Sequence, residues 1–397
     1  MKYVIIGNGA AGTAAAAGIR KIDNESEIII ASDEAYPFYS RIRLIDYLAG
    51  ETDEKGLVIY KDEWYEKNGI KLLLNTAVSG IDNNKKEIII PSGGRLKYDK
   101  LLIATGGVSF VPPIPGADKK GVFTLRTLKD AIEIKNYAEQ VKKVVLIGGG
   151  VLGLEAGNSL RKTGHSVAVV EFFPRLLPRQ MDREGAEILT SQLVGMGFSF
   201  YLGAKTKEIF GDDKVRGVRL EDGTIIDCDM VIISAGVRAD SELADESGIK
   251  CGKGVPVNDR METEIQDVYA AGDVAEHKGI CYGIWPAAEE QGKIAGVNMA
   301  GGNAVYGGTT PSNILKVAGI QLIASGDIDA EGKLESIVKK NKESFLYKKL
   351  VLKDNTITGC ILYGDLSGWK KIKSSIDKKR DIGPIRQELE KWNLEVL

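Results

Sequence analysis

Two stretches of this chain follow one plan, and the repeat constrains the fold more than any other feature. MKYVIIGNGAAGTAAAAGIR (1–20) predicts a strand over Tyr3–Ile6, the turn Gly7-Asn8-Gly9-Ala10-Ala11-Gly12, and an alanine-rich helix. A second strand, Glu27–Ala31, then closes on Ser32-Asp33-Glu34. In KKVVLIGGGVLGLEAGNSLRKTGHSVAVVEFFPR (142–175), strand Val144–Ile147 leads into Gly148-Gly149-Gly150-Val151-Leu152-Gly153, a helix, and strand Ser166–Val170 ending on Glu171. Alone, the first stretch also reads as a secretory signal, with one Lys, an apolar run and small residues. A signal has no reason to recur in mid-chain, so residues 1–20 are expected to stay on the mature protein as part of a folded module.

Strand, G-x-G-x-x-G and helix, with an acid about 20 residues further on, is the pattern that receives a dinucleotide pyrophosphate. The first glycine allows the tight turn, the second lets backbone N–H groups approach the phosphates, and the third lets helix and strand pack closely. The phosphates then face the positive end of the helix dipole. Further apolar runs end in small residues: Ala104-Thr105-Gly106 after the first module, Ala235-Gly236 after the second, and Ala271-Gly272-Asp273 later. A strand that stops on glycine lets its backbone pass close to a ligand, although Gly-Asp after a strand is often only a turn.

The 397 residues are 43% hydrophobic and 27% charged, enough for two or three domains with their own cores. No apolar run reaches the roughly 18–20 residues of a membrane span. A formal net charge of -2, with no basic stretch interleaved with aromatics, gives no sign of nucleic acid as a partner. Cys228, Cys251, Cys281 and Cys360 stand far apart, and with two histidines they offer no ligand set for zinc or an iron–sulfur cluster. They read as reduced residues of a cytoplasmic protein.

The order of these motifs resembles the flavin-dependent pyridine nucleotide oxidoreductases with two dinucleotide-binding domains. The resemblance implies an α/β fold of two Rossmann-like domains, with the NAD domain inserted in the FAD domain, plus a C-terminal α/β domain. The boundaries expected are 1–110 with 243–308 for FAD, 111–242 for NAD and 309–397 for the last domain. The Pro-rich Val111–Gly116 and the Gly-rich 300–308 mark two of the junctions.

Carried over residue by residue, the resemblance implies that Gly7, Gly9, Ala10, Ala11 and Gly12 lie at the FAD pyrophosphate. Glu34, or Asp33, takes the adenosine ribose, and Val78, in a strand segment before Ile81-Asp82, offers backbone atoms to the adenine. Ala104, Thr105 and Gly106 pass near the cofactor, Gly272 and Asp273 hold its ribityl or phosphate portion, and Arg41 lies near the flavin. Trp285 and Glu289 line the ring at the start of a helix, with a plain core or interface role as the alternative for Trp285. For NAD the implied residues are Gly148, Gly150, Val151, Leu152, Gly153 and Gly236. Glu171 binds both ribose hydroxyls and repels a 2′-phosphate, which favours NADH, while Arg175 nearby leaves NADPH open. Glu155 reaches the nicotinamide carboxamide, or is simply an acid in a first helical turn.

Family branches that reduce disulfides or peroxides carry a cysteine before a segment like Tyr47-Leu48-Ala49-Gly50; here Ile42 stands at that place. Isoleucine forms no thiolate, so thiol chemistry is not expected. The stretch around Arg41 and the segment Gly359–Asp365 instead resemble NADH:rubredoxin oxidoreductases and the flavin domain of nitrite reductase large subunits. With no Cys-rich extension before Leu397, an iron centre is expected on another polypeptide. Residues 308–397 hold 16 Lys+Arg against 12 Asp+Glu, and runs such as Lys370–Lys373 and Lys378–Arg380 suit docking of a small acidic carrier, rubredoxin or ferredoxin, or serve as a solvated face. The function implied is NADH-to-FAD electron transfer onward to that carrier, with no side chain acting as acid, base or nucleophile. An NADH oxidase making peroxide, or a subunit of a larger redox enzyme such as nitrite reductase, are the alternatives; a homodimer is compatible with the chain.

Overall fold

The apolar strand Lys2–Ile6 has four buried residues in succession. Such a run needs cover on both faces, which a parallel sheet flanked by crossover helices supplies. It pairs in parallel with Glu27–Ala31 on one side and Lys100–Ile103 on the other. Ile70–Leu73 and Val268–Ala270 complete a five-stranded sheet at its two edges. This computed structural model describes residues 1–91, 93–309 and 312–397, with backbone only over 312–317.

The second sheet repeats the first. Lys143–Ile147 lies between Ser166–Glu171 and Met230–Ile233, with Phe198–Leu202 and Val122–Phe123 outermost, all parallel. The expected strands Tyr3–Ile6, Val144–Ile147 and Ser166–Val170 are each one residue longer. A three-stranded antiparallel meander follows the third strand of each module: Gly80–Asp82, Glu87–Ile89 and Arg95–Lys97 in the first, Thr206–Phe210, Gly217–Leu220 and Ile225–Asp227 in the second.

The chain divides into two compact units. One holds Met1–Arg43, Asp53–Phe110 and Val237–Thr309, with a core of its own around Ile5, Ile30 and Leu102. The other holds Leu44–Thr52, Val111–Gly236 and Thr310–Leu397. Residues 44–52 belong to it because the Ser159 hydroxyl donates to the Ile45 carbonyl (2.8 Å) and Lys162 pairs with Glu51 (2.7 Å).

The second unit also carries an antiparallel five-stranded sheet in the order Ser312–Val317, Ile320–Gly326, Thr356–Tyr363, Leu346–Lys353 and Glu335–Asn341. The helix Trp369–Asp377 packs there through Ile372, together with Leu389 and Leu394. Lys348 and Lys349 are neighbours on one strand, point to opposite faces, and are both buried. Each charge has its own partners: Lys348 meets Asp365 at 2.5 Å, and Lys349 meets Asp182 at 3.0 Å with the Asp329 carbonyl at 2.9 Å. The Tyr347 hydroxyl also donates to Asp182 (2.6 Å), the N-cap of helix Arg183–Gly195, so this sheet is fastened to the second dinucleotide module by a paired buried cluster. Among the described residues no helix is long and apolar enough to cross a membrane.

Candidate dinucleotide-binding sites

The two glycine turns are built by the same hydrogen bonds. Gly7 N–H donates to Ala31 O and Gly148 N–H to Val170 O, both at 2.8 Å. Ala104 N–H donates to Ile6 O and Ser234 N–H to Ile147 O, again at 2.8 Å each. The first glycines have φ of +109° and +117°. A Cβ there would lie 2.1 Å from Ala104 O at Gly7 and 2.2 Å from Ser234 O at Gly148. Only glycine meets both demands. The third glycines are closed in as well, Gly12 against Gly7 O (2.0 Å) and Gly153 against Gly148 O (2.5 Å).

The second glycines differ: around the Cβ position of Gly9, and of Gly150, nothing lies within 4 Å. Both cap a helix without a side-chain hydrogen bond, and neither helix has an acid in its first turn. Each turn therefore leaves an open space at the positive end of a helix, which fits an anionic pyrophosphate. Beside the first space the Asn8 Oδ1 accepts from the Tyr65 hydroxyl (3.0 Å), while the buried Asn8 Nδ2 has no protein partner. Ala10 and Ala11 open the first helix; Val151 and Leu152 open the second.

The acids behave differently. Glu34 is held by Arg41 and by the Tyr39 hydroxyl, each at 2.5 Å, so two sequence-predicted site residues form one ion pair. Asp33 is exposed. Glu171, the last residue of its strand, is buried and accepts from Gly149 N–H (2.6 Å) and Phe173 N–H (2.7 Å). Its carboxylate thereby ties strand to glycine turn. Phe172 and Phe173, at 59% and 49% exposure, stand edge to face beside it.

Around Ala271-Gly272-Asp273 the structure adds residues that the motif did not disclose. Gly272 has φ +89°, and its N–H donates to Gln291 Oε1 at 2.9 Å. Gln291 is 1% exposed. It sits on the helix Trp285–Met299, whose Gly292 and Gly296 touch Ala11 O and Ala15 O of the first dinucleotide helix, since a Cβ at either would come within 2.1 Å. Two helices crossing this closely fix the Gly272 turn against the Gly7 turn. The only advance signal was a polar residue beside glycine on an otherwise small, apolar helix face.

Trp285 opens that helix and lies 5.3 Å from the Phe38 ring, whereas Glu289 is exposed one turn later. Thr105 Oγ1 donates to Asp240 O (2.7 Å), and Gly106 O accepts from Asp240 N–H (3.0 Å). Asp240 lines a cavity of about 420 Å³ with Val108, Glu242 and Cys251. Burial, then Asp33 and Glu242, push its carboxyl above the usual range. Gly236 has φ +117° with open space at its Cβ position.

Two expectations need correction. Val78 is not in a strand; it lies in the irregular segment before Gly80–Asp82, where Thr76 N–H is drawn to Ser32 O (2.7 Å) instead of a ladder partner. Glu155 is the fifth residue of helix Val151–Lys162, so it is not a first-turn acid.

Ile42 is 62% exposed on a short turn of 3-10 helix. Burial pushes the thiols of Cys228 and Cys360 up to about 12, and those of Cys251 and Cys281 are raised chiefly by burial too. None of the four favours a thiolate. Of the C-terminal basic runs, Lys371 and Lys373 are paired locally with Glu395 and Asp377, while Lys370, Lys378 and Lys379 are exposed.

The comparisons with known proteins agree with this geometry. Residues 1–292 match the pyridine nucleotide-disulphide oxidoreductase family, and residues 311–380 match the rubredoxin NAD+ reductase C-terminal domain. The NADH-rubredoxin oxidoreductase of Clostridium acetobutylicum is 35% identical over 387 residues, 97% of this chain and 96% of that protein. A crystal structure of NADH:rubredoxin oxidoreductase from that organism covers 97% of both chains with a TM-score of 0.84 and 33% identity. Nitrite reductase [NAD(P)H] of Bacillus subtilis is 40% identical over 383 residues, 96% of this chain. The chain spans only about half the length of that relative and of the assimilatory nitrate reductase electron transfer subunit of the same organism, 48% and 51%. The chain belongs to the pyridine nucleotide-disulphide oxidoreductase family, whose members use FAD and a pyridine nucleotide, and it carries a C-terminal domain of the rubredoxin NAD+ reductase type.

Proposed function

We propose that this protein is an NADH-dependent FAD oxidoreductase that passes electrons to a small acidic iron or iron–sulfur carrier, rubredoxin or ferredoxin. The observation that carries the reading is the pair of matching turns, each open only at its second glycine, in a chain with Ile42 where the family resemblance implies a cysteine in the thiol-using branches. FAD, when bound, takes a hydride from NADH and releases electrons one at a time.

The residues are assigned as follows. The first turn, Gly7 to Gly12, holds the FAD pyrophosphate on backbone N–H groups, with Glu34 at the ribose and Arg41 steadying that acid. Val78 offers backbone to the adenine, Ala104 to Gly106 shape the passage beside the cofactor, and Gly272 with Asp273 holds the middle of the molecule. The helix starting at Trp285 directs its positive end toward the flavin ring, where reduction places negative charge, and Glu289 lies one turn along it. Gly148, Gly150, Val151, Leu152 and Gly153 hold the pyrophosphate of NADH, with Glu171 at its ribose, Glu155 at the carboxamide and Gly236 beside the nicotinamide. No group of the chain acts as acid, base or nucleophile; the protein orients two rings and excludes alternatives. This assignment divides the chain into an FAD domain (1–110 and 243–308), an NAD domain (111–242) and a C-terminal domain (309–397). Four free cysteines suit a cytoplasmic setting.

Purified holoprotein given NADH should reduce rubredoxin or ferredoxin rapidly, at a rate that falls with salt. Turnover with O2 alone overturns the carrier reading in favour of an oxidase, the name borne by a Methanocaldococcus jannaschii relative 36% identical over 341 residues. A second reading, a flavoprotein subunit of a larger enzyme, draws support from the double-length Bacillus relatives. A stable complex isolated from cells, with no turnover of any carrier, would decide for it.

A further inference from the structure

The turn after Glu171 contains a cation for which the proposed NADH site has no use. Glu171 accepts from Gly149 N–H at 2.6 Å, and Leu177 N–H returns to Gly149 O at 3.1 Å. Residues 171–177 are therefore a loop fastened at both ends to the glycine turn. Arg175 lies inside it. A guanidinium in this position is suited to a 2′-phosphate, which it grips through a planar fork of donors.

In the structure Arg175 is not free to do so. Its side chain is 15% exposed, and one terminal nitrogen donates to Glu331 Oε1 at 2.7 Å and to Pro178 O at 3.4 Å. Its Nε is buried with no hydrogen-bond partner among the described residues. Arg175 is thus held by one acid at one end of its fork while another donor goes unanswered, although a guanidinium ordinarily satisfies its donors. Glu331 comes from the C-terminal part of the chain, is 64% exposed, and belongs to no dinucleotide motif.

We infer that Glu331 is a selectivity latch: by pairing with Arg175 it keeps the guanidinium from serving a 2′-phosphate, and so helps Glu171 restrict the site to NADH. The inference rests on the NADH reading above. Glu331 acts through Arg175 and is a positioning residue, not a contact of the coenzyme.

Holoprotein carrying Glu331→Gln, Glu331→Asp, Arg175→Ala or the double change R175A/E331Q tests it. E331Q should raise the ratio of kcat/KM for NADPH over NADH about tenfold, the size of one charge-assisted contact, through KM for NADPH. E331D should keep the wild-type ratio, and the double variant should return to it. Calorimetric titration with adenosine 2′,5′-bisphosphate, which needs no turnover, should show the same gain for E331Q and none for the double variant. An unchanged ratio and unchanged bisphosphate affinity in folded E331Q overturn the latch, as does a gain that survives loss of Arg175. Glu331→Ser supplies the same comparison should E331Q fail to fold. Failure of the wild-type protein to oxidise NADH would instead defeat the underlying reading, which the bisphosphate titration does not assume.

Discussion

The first and second dinucleotide modules share backbone and differ in what surrounds it. Strand for strand the register is the same: Ile6 faces Ile103 as Ile147 faces Ile233. Yet the first sheet takes its outer strand, Val268–Ala270, from late in the chain, while the second uses Val122–Phe123, which precedes its central strand. The first acid is three residues past its strand and belongs to an Arg–Tyr cluster; the second is the last residue of its strand and is clamped to Gly149. The comparison teaches that glycines set the cradle and acids with their partners set its user. At the first and third glycines an added Cβ would lie 2.0–2.5 Å from a carbonyl oxygen, so those positions admit only glycine; the user depends on charges that each module arranges differently.

The largest effect should come from breaking the turn itself. Gly7→Ala and Gly148→Ala each place a methyl group on a carbonyl oxygen in a backbone conformation that disfavours side chains, a cost of about 3 kcal/mol. The comparison predicts separable losses: G7A should purify without yellow colour, whereas G148A should keep FAD and lose reduction by NADH. Absorption spectra before and after NADH decide between this and a shared collapse of both functions.

Gln291 sharpens the contrast, because the helix that carries it packs on the first dinucleotide helix through Gly292 and Gly296. Gln291→Leu leaves the Gly272 N–H buried without an acceptor, a loss of about 2 kcal/mol. FAD should dissociate faster on dilution, followed by fluorescence, while NADH affinity of the loaded protein changes less. Equal weakening of both would mean that Gln291 serves overall packing and not the Gly272 turn.

A milder change distinguishes cradle from fold. Gly9→Ala and Gly150→Ala put a methyl group where the protein has no atom within 4 Å. Thermal stability without cofactor should stay within about 0.5 kcal/mol of wild type, while affinity for FAD or NADH respectively falls about tenfold. A stability loss as large as that of G7A would show the space to be structural.

What the sequence disclosed was local. Gly7, Gly148 and the strand-terminal glycines are legible because their backbone demands are met within a few residues, and the acids because a strand end fixes their distance from the turn. Val78 was misplaced since strand and irregular extended chain look alike over so few residues. Gln291, Gly292 and Gly296 gain meaning only from a helix far away in the chain, and the Arg175–Glu331 pair spans 156 residues. The burial of Lys348 and Lys349 likewise depends on acids in other elements, Asp365 and Asp182.

The smallest effect concerns Asp240, at the end of the strand that pairs with the Gly107–Ser109 segment of the first module. Burial, with Asp33 and Glu242 near, raises its folded-state pKa above the ordinary 3.8. A carboxyl with a raised folded pKa adds stability that is fully present below the unfolded value and is lost as pH rises through the folded one. At pH 7 the charged Asp240 therefore burdens the fold. Asp240→Asn keeps the backbone bonds to Thr105 and Gly106, so the variant should melt about 2 °C higher at pH 7, and this gain should vanish below about pH 4. Partial exposure of the group keeps the effect this small. The Glu171 carboxylate, satisfied by two N–H donors, predicts the opposite: Glu171→Gln should lower the melting point at pH 7, because one amide end cannot accept the bond its oxygen held. Melting points of the two variants at pH 7 would set the two carboxyls apart; shifts of the same sign would erase the electrostatic difference drawn between them.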